Sequence, residues 1–103
     1  MENHSANILV NDELIESNKK HGDFNSAHEG YSVLLEEYEE LQDENLALKK
    51  CIDLMWKGIK KDDNHLTIGC LEEMESLSGH LIEEAIQVAA MVRKLHLHLK
   101  ANG

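Results

Sequence analysis

The chain has 103 residues, 20 acidic against 10 basic, a formal net charge of −10, no Pro, one Trp, two Tyr and one Phe. That length suits a single small domain, taken as residues 1–103, and the composition argues for an all-α chain over a sandwich or barrel, which would want more β-branched and aromatic residues. The acidity argues against duplex nucleic acid as a partner, because phosphate binding needs a basic face.

Residues 1–6 are polar and are expected to be loose. A short helix over 7–20 follows, carrying Ile8, Leu9, Leu14 and Ile15, with Asn11 or Asp12 as its cap and Gly22 as its stop. Ser26-Ala27-His28-Glu29 reads as a capping box, S-x-x-E, with Phe24 placed to staple the entry of a long helix. In that helix Leu34, Tyr38, Leu41, Asn45, Leu48, Ile52, Met55 and Ile59 recur at alternating spacings of four and three, a heptad-like seam with Asn45 as its polar member.

Lys60-Lys61-Asp62-Asp63-Asn64 reads as the turn into a second long helix, antiparallel to the first and running to about Lys100. Its stripe is Leu71, Met74, Leu77, Leu81, Ala85, Val88, Val92, Leu95 and Leu99. Gly69 and Gly79 interrupt it, and a kink is expected near Gly79. Tyr31, Leu35, Leu46, Ile82, Ile86 and Met91 add a second apolar face. Two long helices with two apolar faces each bury too little alone, so the core is expected to be completed as a helical bundle by a homodimer or higher even oligomer.

Cys51 and Cys70 are too few for a disulfide framework and lack metal-ligand spacing, and are read as buried, reduced thiols. No stretch approaches the ~20 apolar residues of a membrane span. Met1-Glu2-Asn3-His4 has no basic leader and no apolar run behind it, so a cytoplasmic protein without a membrane partner is expected.

The chemistry concentrates in two acidic clusters, Glu36-Glu37-Tyr38-Glu39-Glu40 and Glu83-Glu84-Ala85-Ile86-Gln87. Residues three apart share a helix face, so Glu37 pairs with Glu40 and Glu84 with Gln87. On antiparallel helices these oxygens converge, and oxygen ligands without His or Cys favour Mg²⁺ or Mn²⁺. Taken by itself, such an acidic run is the solvated face of a helix more often than it is a metal site.

Residues 24–44, Phe-Asn-Ser-Ala-His-Glu-Gly-Tyr-Ser-Val-Leu-Leu-Glu-Glu-Tyr-Glu-Glu-Leu-Gln-Asp-Glu, and residues 83–92, Glu-Glu-Ala-Ile-Gln-Val-Ala-Ala-Met-Val, resemble the small phage-encoded MazG-like proteins, relatives of the all-α nucleoside triphosphate pyrophosphohydrolases. The resemblance covers about a third of the chain, in two blocks in the family's order. It implies Glu-x-x-Glu on one helix and Glu-x-x-Asp on the next, four carboxylates holding Mg²⁺, and water attacking the bound triphosphate to release a monophosphate and pyrophosphate. Carried over by position, the ligands are Glu37, Glu40, Glu84 and, where Asp is expected, Gln87, with Glu36 as an acidic neighbour. Gln87 offers one carbonyl oxygen and no charge. The segment between the motifs is longer than in the compact hydrolases, which marks 45–80 as an insertion.

His28, near the first long helix's N-terminus, is a candidate contact to phosphate or base. Tyr38 and Trp56 are candidates for stacking on a base, and the lysines at 49, 50, 57, 60 and 61 for phosphate. His96 and His98 are read as surface residues. The chain thus reads as a Mg²⁺-dependent nucleotide-binding protein whose reaction would be triphosphate hydrolysis. Gln87 keeps open a silent phage sponge for a nucleotide or second messenger directed against host defence. A third reading is a helical protein–protein interaction module with a solvated acidic surface.

Overall fold

The computed structural model describes residues 4–102 and consists of three helices: α1 (His4–His21), α2 (Ala27–Lys60) and α3 (Asn64–Asn102). The all-α expectation holds, and no strand occurs among the described residues. The expectation of a loose start falls partly outside the described residues at 1–3, while 4–6 are helical.

Neither Asn11 nor Asp12 caps α1. Asn11 accepts a hydrogen bond from Arg93 Nη1, and Asn7, one turn earlier on the same face, accepts one from Nη2 at 3.2 Å. The amide is thus spent on holding α1 to α3. The stop at Gly22 is as read: its φ is +67° and its N–H donates to Asn18 O at 2.9 Å, a left-handed C-terminal cap. Lys19, Lys20 and His21 occupy the last turn, where positive charge suits the helix dipole.

The capping box also forms. Ser26 is extended (φ −159°, ψ 165°) and its Oγ accepts from Glu29 N–H at 3.1 Å. The Glu29 carboxylate reaches back one residue further than the usual pairing, accepting from Asn25 N at 3.1 Å and Asn25 Nδ2 at 3.0 Å. Phe24 is 7% exposed and packs into the core with Val10, Ala90 and Met91.

The hairpin turn serves both long helices. Asp62 takes the left-handed position (φ 54°), its N–H donating to Ile59 O at 3.2 Å, while Asp63 N–H donates to Gly58 O at 2.9 Å. This is the paired bonding of a Schellman stop. Asp63 then opens α3: its Oδ1 accepts from Leu66 N–H at 3.0 Å and its carbonyl from Thr67 Oγ1 at 2.9 Å. Gly58 is buried under this turn, where a Cβ would lie 2.7 Å from Thr67 Oγ1.

α3 is unbroken, so the expected kink near Gly79 is absent. Each glycine costs a helix about 1 kcal/mol relative to alanine. Half-buried Met74, Leu77 and Leu81 pack toward α2 through this stretch and offset that cost. α2 and α3 lie along one another as the antiparallel pair expected, and α1 packs on α3 rather than on α2. Residues 45–80 are the distal half of this hairpin.

The packed seam is the expected one moved by one residue in every heptad. On α2, Leu34, Leu41, Leu48 and Met55 are half-buried as read, but Tyr38, Asn45, Ile52 and Ile59 are exposed, and Glu37, Glu44, Cys51 and Gly58 turn inward in their place. α3 shows the same shift. Met74, Leu77, Leu81, Val88 and Leu95 are half-buried as read, but Leu71, Ala85, Val92 and Leu99 are exposed, and Cys70, Glu84, Met91 and His98 are covered in their place. Both cysteines are free, Cys70 buried and Cys51 half-buried. The molecule is a rod, 59 × 27 × 27 Å, with a Cα radius of gyration of 17.8 Å. A compact chain of this length would have about 13 Å.

Candidate functional site

The inward shift of the seam places carboxylates between the long helices. Glu37 and Glu40 on α2 and Glu84 on α3 each offer an oxygen, and these oxygens lie within 4.8 Å of one another. One oxygen of Glu37 and one of Glu84, Oε2 in each, is shut off from solvent and has no hydrogen-bond partner. Buried carboxylate oxygens ordinarily find a donor, and an orphan is costly. Burial raises both carboxyls above the ordinary glutamate range. At Glu37 the charges of Glu40, Glu36 and Glu13 add to burial; at Glu84 the neighbouring Glu40 carboxyl and then the charges of Glu37 and Glu44 do so. The site is starved of positive charge, and a proton or a cation relieves it.

The donor set fits a hard cation. Oxygens about 2.1 Å from Mg²⁺ lie at most roughly 4.2 Å apart across the ion. The three oxygens, within 4.8 Å of one another, would have to draw somewhat closer to share one ion; of the three side chains, that of Glu40 is exposed. Of the residues singled out from the sequence, Glu37, Glu40 and Glu84 are therefore brought together. Glu36 is exposed and influences Glu37 only by its charge. Gln87 is half-buried one turn beyond Glu84 and lines the adjoining cavity.

That cavity, of about 650 Å³, lies between α1 and α2, with Gln87, Met91 and Lys94 of α3 along it. It exists because α1 leans on α3 and leaves α2 free. Glu37 is shared between the carboxylate cluster and the cavity wall, so the two are continuous. Val33, Phe24 and Met91 supply apolar surface, and the connector 22–25 closes one side.

The other candidates lie elsewhere. His28 is exposed and does not line the cavity. Tyr38 is exposed on the outer face of α2, where its hydroxyl accepts from Gln42 Nε2 at 3.0 Å. Trp56, with Lys60 Nζ 5.6 Å above its ring, is about 24 Å from Glu40 along α2 at ~1.5 Å per residue. Lys49 is engaged with Asp53.

His98 is not a surface residue. Its side chain is 11% exposed, its Nδ1 lies 3.0 Å from Asp23 Oδ2, and its ring meets Phe24 edge-on at 6.4 Å. The hydrogen bond with His98, and then that from Phe24 N–H, hold Asp23 below the usual carboxylate range.

Lys94 is the residue that sequence reasoning missed. It is 4% exposed, donates to Ser17 Oγ at 3.0 Å and sits 4.6 Å over the Phe24 ring. Its signal was present: Glu84, Gln87, Met91 and Lys94 are spaced three, four and three, a single helix face continuing from the acidic motif. No helix is long and apolar enough to cross a membrane among the described residues. Comparison of the chain with protein-family models, with curated proteins and with solved structures finds no match.

Proposed function

We propose that this protein binds a nucleotide through Mg²⁺, or Mn²⁺, held by Glu37, Glu40 and Glu84. The carrying observation is the pair of buried, partnerless oxygens on Glu37 and Glu84. A solvated acidic face would leave those oxygens in water, and a structural cluster would supply donors to them. The continuity of the cluster with a cavity of about 650 Å³ supports a small organic ligand beside the ion. The resemblance of residues 24–44 and 83–92 to MazG-like proteins supports a nucleotide as that ligand.

When bound, the cation would neutralise phosphate oxygens and the charge that develops on them in phosphoryl transfer. The chain's own part is to hold three carboxylates on rigid helices and to exclude water from two of their oxygens. Gln87 gives this arrangement less charge than the hydrolase pattern, so binding is favoured over turnover. The protein then acts as a nucleotide sponge or as a slow pyrophosphohydrolase. The deciding measurement incubates the pure protein with a nucleotide panel and Mg²⁺, following pyrophosphate release and ligand retention together. Stoichiometric retention with little release is expected. Neither retention nor release would abandon the nucleotide reading for the helical interaction module.

We also propose that a second copy covers the outer apolar face. Tyr31, Tyr38, Ile52, Trp56 and Ile59 on α2 and Ile68, Leu71, Ile82 and Val92 on α3 are exposed, while among the described residues only five apolar ones are buried. Exposed apolar surface on this scale marks association. Light scattering at micromolar concentration is expected to give a dimer or larger. A single species of 11.7 kDa would count against it, and would strengthen the case for a different protein partner.

A further inference from the structure

Beside its packed seam each long helix carries a second stripe, one residue further on at every step. On α2 the stripe holds Tyr31, Leu35, Tyr38, Ile52, Trp56 and Ile59, all exposed. Its three-and-four spacing runs unbroken through exposed Gln42, Asn45 and Lys49 at the centre. On α3 the stripe holds Ile68, Leu71, Ile82, Ala85, Val92 and Leu99, also exposed. One residue turns a helix by ~100°. Because α2 and α3 are antiparallel, that step turns both stripes toward the same side of the hairpin. α1 lies on the other side, against Ala90 and Lys94, one residue short of the seam. The hairpin therefore presents a two-helix apolar face that α1 does not cover.

The size of that face matches a second hairpin. The chain exposes 7516 Å², against about 5,900 Å² for a compact monomer of 11.7 kDa. The difference, roughly 1,600 Å², is about twice the ~800 Å² that one partner gives to a standard interface. Two such faces stacked on a twofold axis close a four-helix bundle. Two senses of stacking exist. With the rods pointing the same way, α2 lies on α3 of the second copy. With the rods opposed, α2 lies on α2.

Charge decides between them. Seven acids and no base occupy positions 29–44, whereas five of the chain's ten Lys and Arg lie between 49 and 61. Same-sense stacking sets the acids of 36–44 beside Glu83 of the second copy. Opposed stacking lays the acidic half of each α2 on the basic half of the other. The stripe agrees, since reversal brings the central Gln42, Asn45 and Lys49 of the two copies together and pairs the apolar ends. We propose that a second copy of this chain docks on this face with its rod reversed, Tyr31 and Leu35 meeting Trp56 and Ile52 of the second copy. The twofold axis passes near Asn45 and Ile82, which are level in the hairpin because Glu44 Oε1 lies 3.8 Å from His80 Nδ1. This rests on the reading above that a second copy covers the outer apolar face, and adds its orientation and register. The cavity beside the carboxylate cluster lies on α1's side, so each site is built by one chain and stays open in the pair.

The test measures spin–spin distances in the full chain, with a nitroxide on one introduced cysteine in a Cys51→Ser/Cys70→Ala background. α2 has 34 residues, so at ~1.5 Å per residue labels on Lys61→Cys are expected about 50 Å apart in the opposed pair. Same-sense stacking would bring them within roughly 25 Å, the width of a bundle plus the label arms. The charge match is tested by light scattering against dilution. Lys50→Glu/Lys57→Glu is expected to weaken the pair about tenfold or more. Adding Glu36→Lys/Asp43→Lys to the same chain is expected to restore it. A dimer whose Lys61→Cys labels lie within 25 Å would overturn the orientation while sparing the second-copy reading, and so would a charge loss that the added lysines deepen. A parent that stays monomeric at micromolar concentration would sink that reading, and the proposal with it.

Discussion

Mg²⁺ is expected to raise the melting temperature of the parent at neutral pH, and Glu84→Gln is expected to abolish that rise. A ligand present at 100 times its dissociation constant stabilises the folded state by about 2.7 kcal/mol, which for a chain of this size is roughly 10 °C or more. Glu84 supplies one of the two partnerless buried oxygens and the only α3 carboxylate of the cluster. Its amide would leave both ligand charges on α2, and the bridge across the helices would be lost. In the absence of metal the same change is expected to raise stability, because it removes a carboxyl held up by burial and by Glu40, Glu37 and Glu44. The two effects have opposite signs, so a general packing defect cannot imitate the pair. A variant that responds to Mg²⁺ as the parent does would reduce the cluster to a surface.

The pH dependence follows from the same carboxyls. Glu37 and Glu84 are raised from the ordinary 4.5, so the folded state holds their protons more tightly than the unfolded chain. Their contribution to stability is full below about pH 4.5 and is lost as pH rises through the raised values. Metal-free protein should therefore lose stability between pH 4.5 and neutrality through these two groups. Mg²⁺ competes with those protons, so its stabilising effect should grow over the same interval and vanish on acidification. Asp23 works the other way, lowered from 3.8 by His98 and Phe24 N–H, and its contribution disappears only in stronger acid.

Much of the fold was legible because local chemistry and global packing agree in it. The Ser26–Glu29 box, the Gly22 stop and the turn at 60–64 each satisfy backbone groups within a few residues, so their signals are complete in the sequence. The start of α1 was not legible, because Asn7 and Asn11 spend their amides on Arg93, a partner more than 80 residues away. The seam was legible in period and at one of its two positions per heptad, Leu34, Leu41, Leu48 and Met55, and displaced by one residue at the other. Choosing the most apolar phase put Tyr38, Asn45 and Ile52 inside, whereas the helices turn Glu37, Glu44 and Glu84 inward. Inward acids are poor packing, and a local rule broken in this way is expected at a functional site. The acidic motif and the seam thus compete for one helix face. Lys94 stayed hidden for a related reason: correct phase from Glu84 leads to it, while the apolar phase places Leu95 there. The cavity depends on α1 leaning on α3 rather than α2, a tertiary choice with no local signature.

Gln87→Asp is expected to convert slow or absent triphosphate hydrolysis into measurable turnover, by a factor of ~10² or more in rate. Gln87 lies one helical turn beyond Glu84 and lines the cavity beside Glu37, so an aspartate there would add a fourth carboxylate to the three proposed as ligands, on the α3 face that carries Glu84. An amide oxygen can touch the cation but cannot offset its charge or hold a proton at neutral pH. Electrostatic stabilisation of the phosphoryl transition state depends on the placement of the metal, and one ligand charge is worth several kcal/mol of barrier at such a site. The measurement is pyrophosphate release from a nucleoside triphosphate in Mg²⁺, with Glu40→Gln added to the aspartate variant as a control that should return the rate to background. A parent already as active as the variant would show that Gln87 is not a missing ligand and that three carboxylates suffice. Tight retention without turnover in both proteins would assign the site to sequestration, with more than the charge at position 87 separating it from a hydrolase.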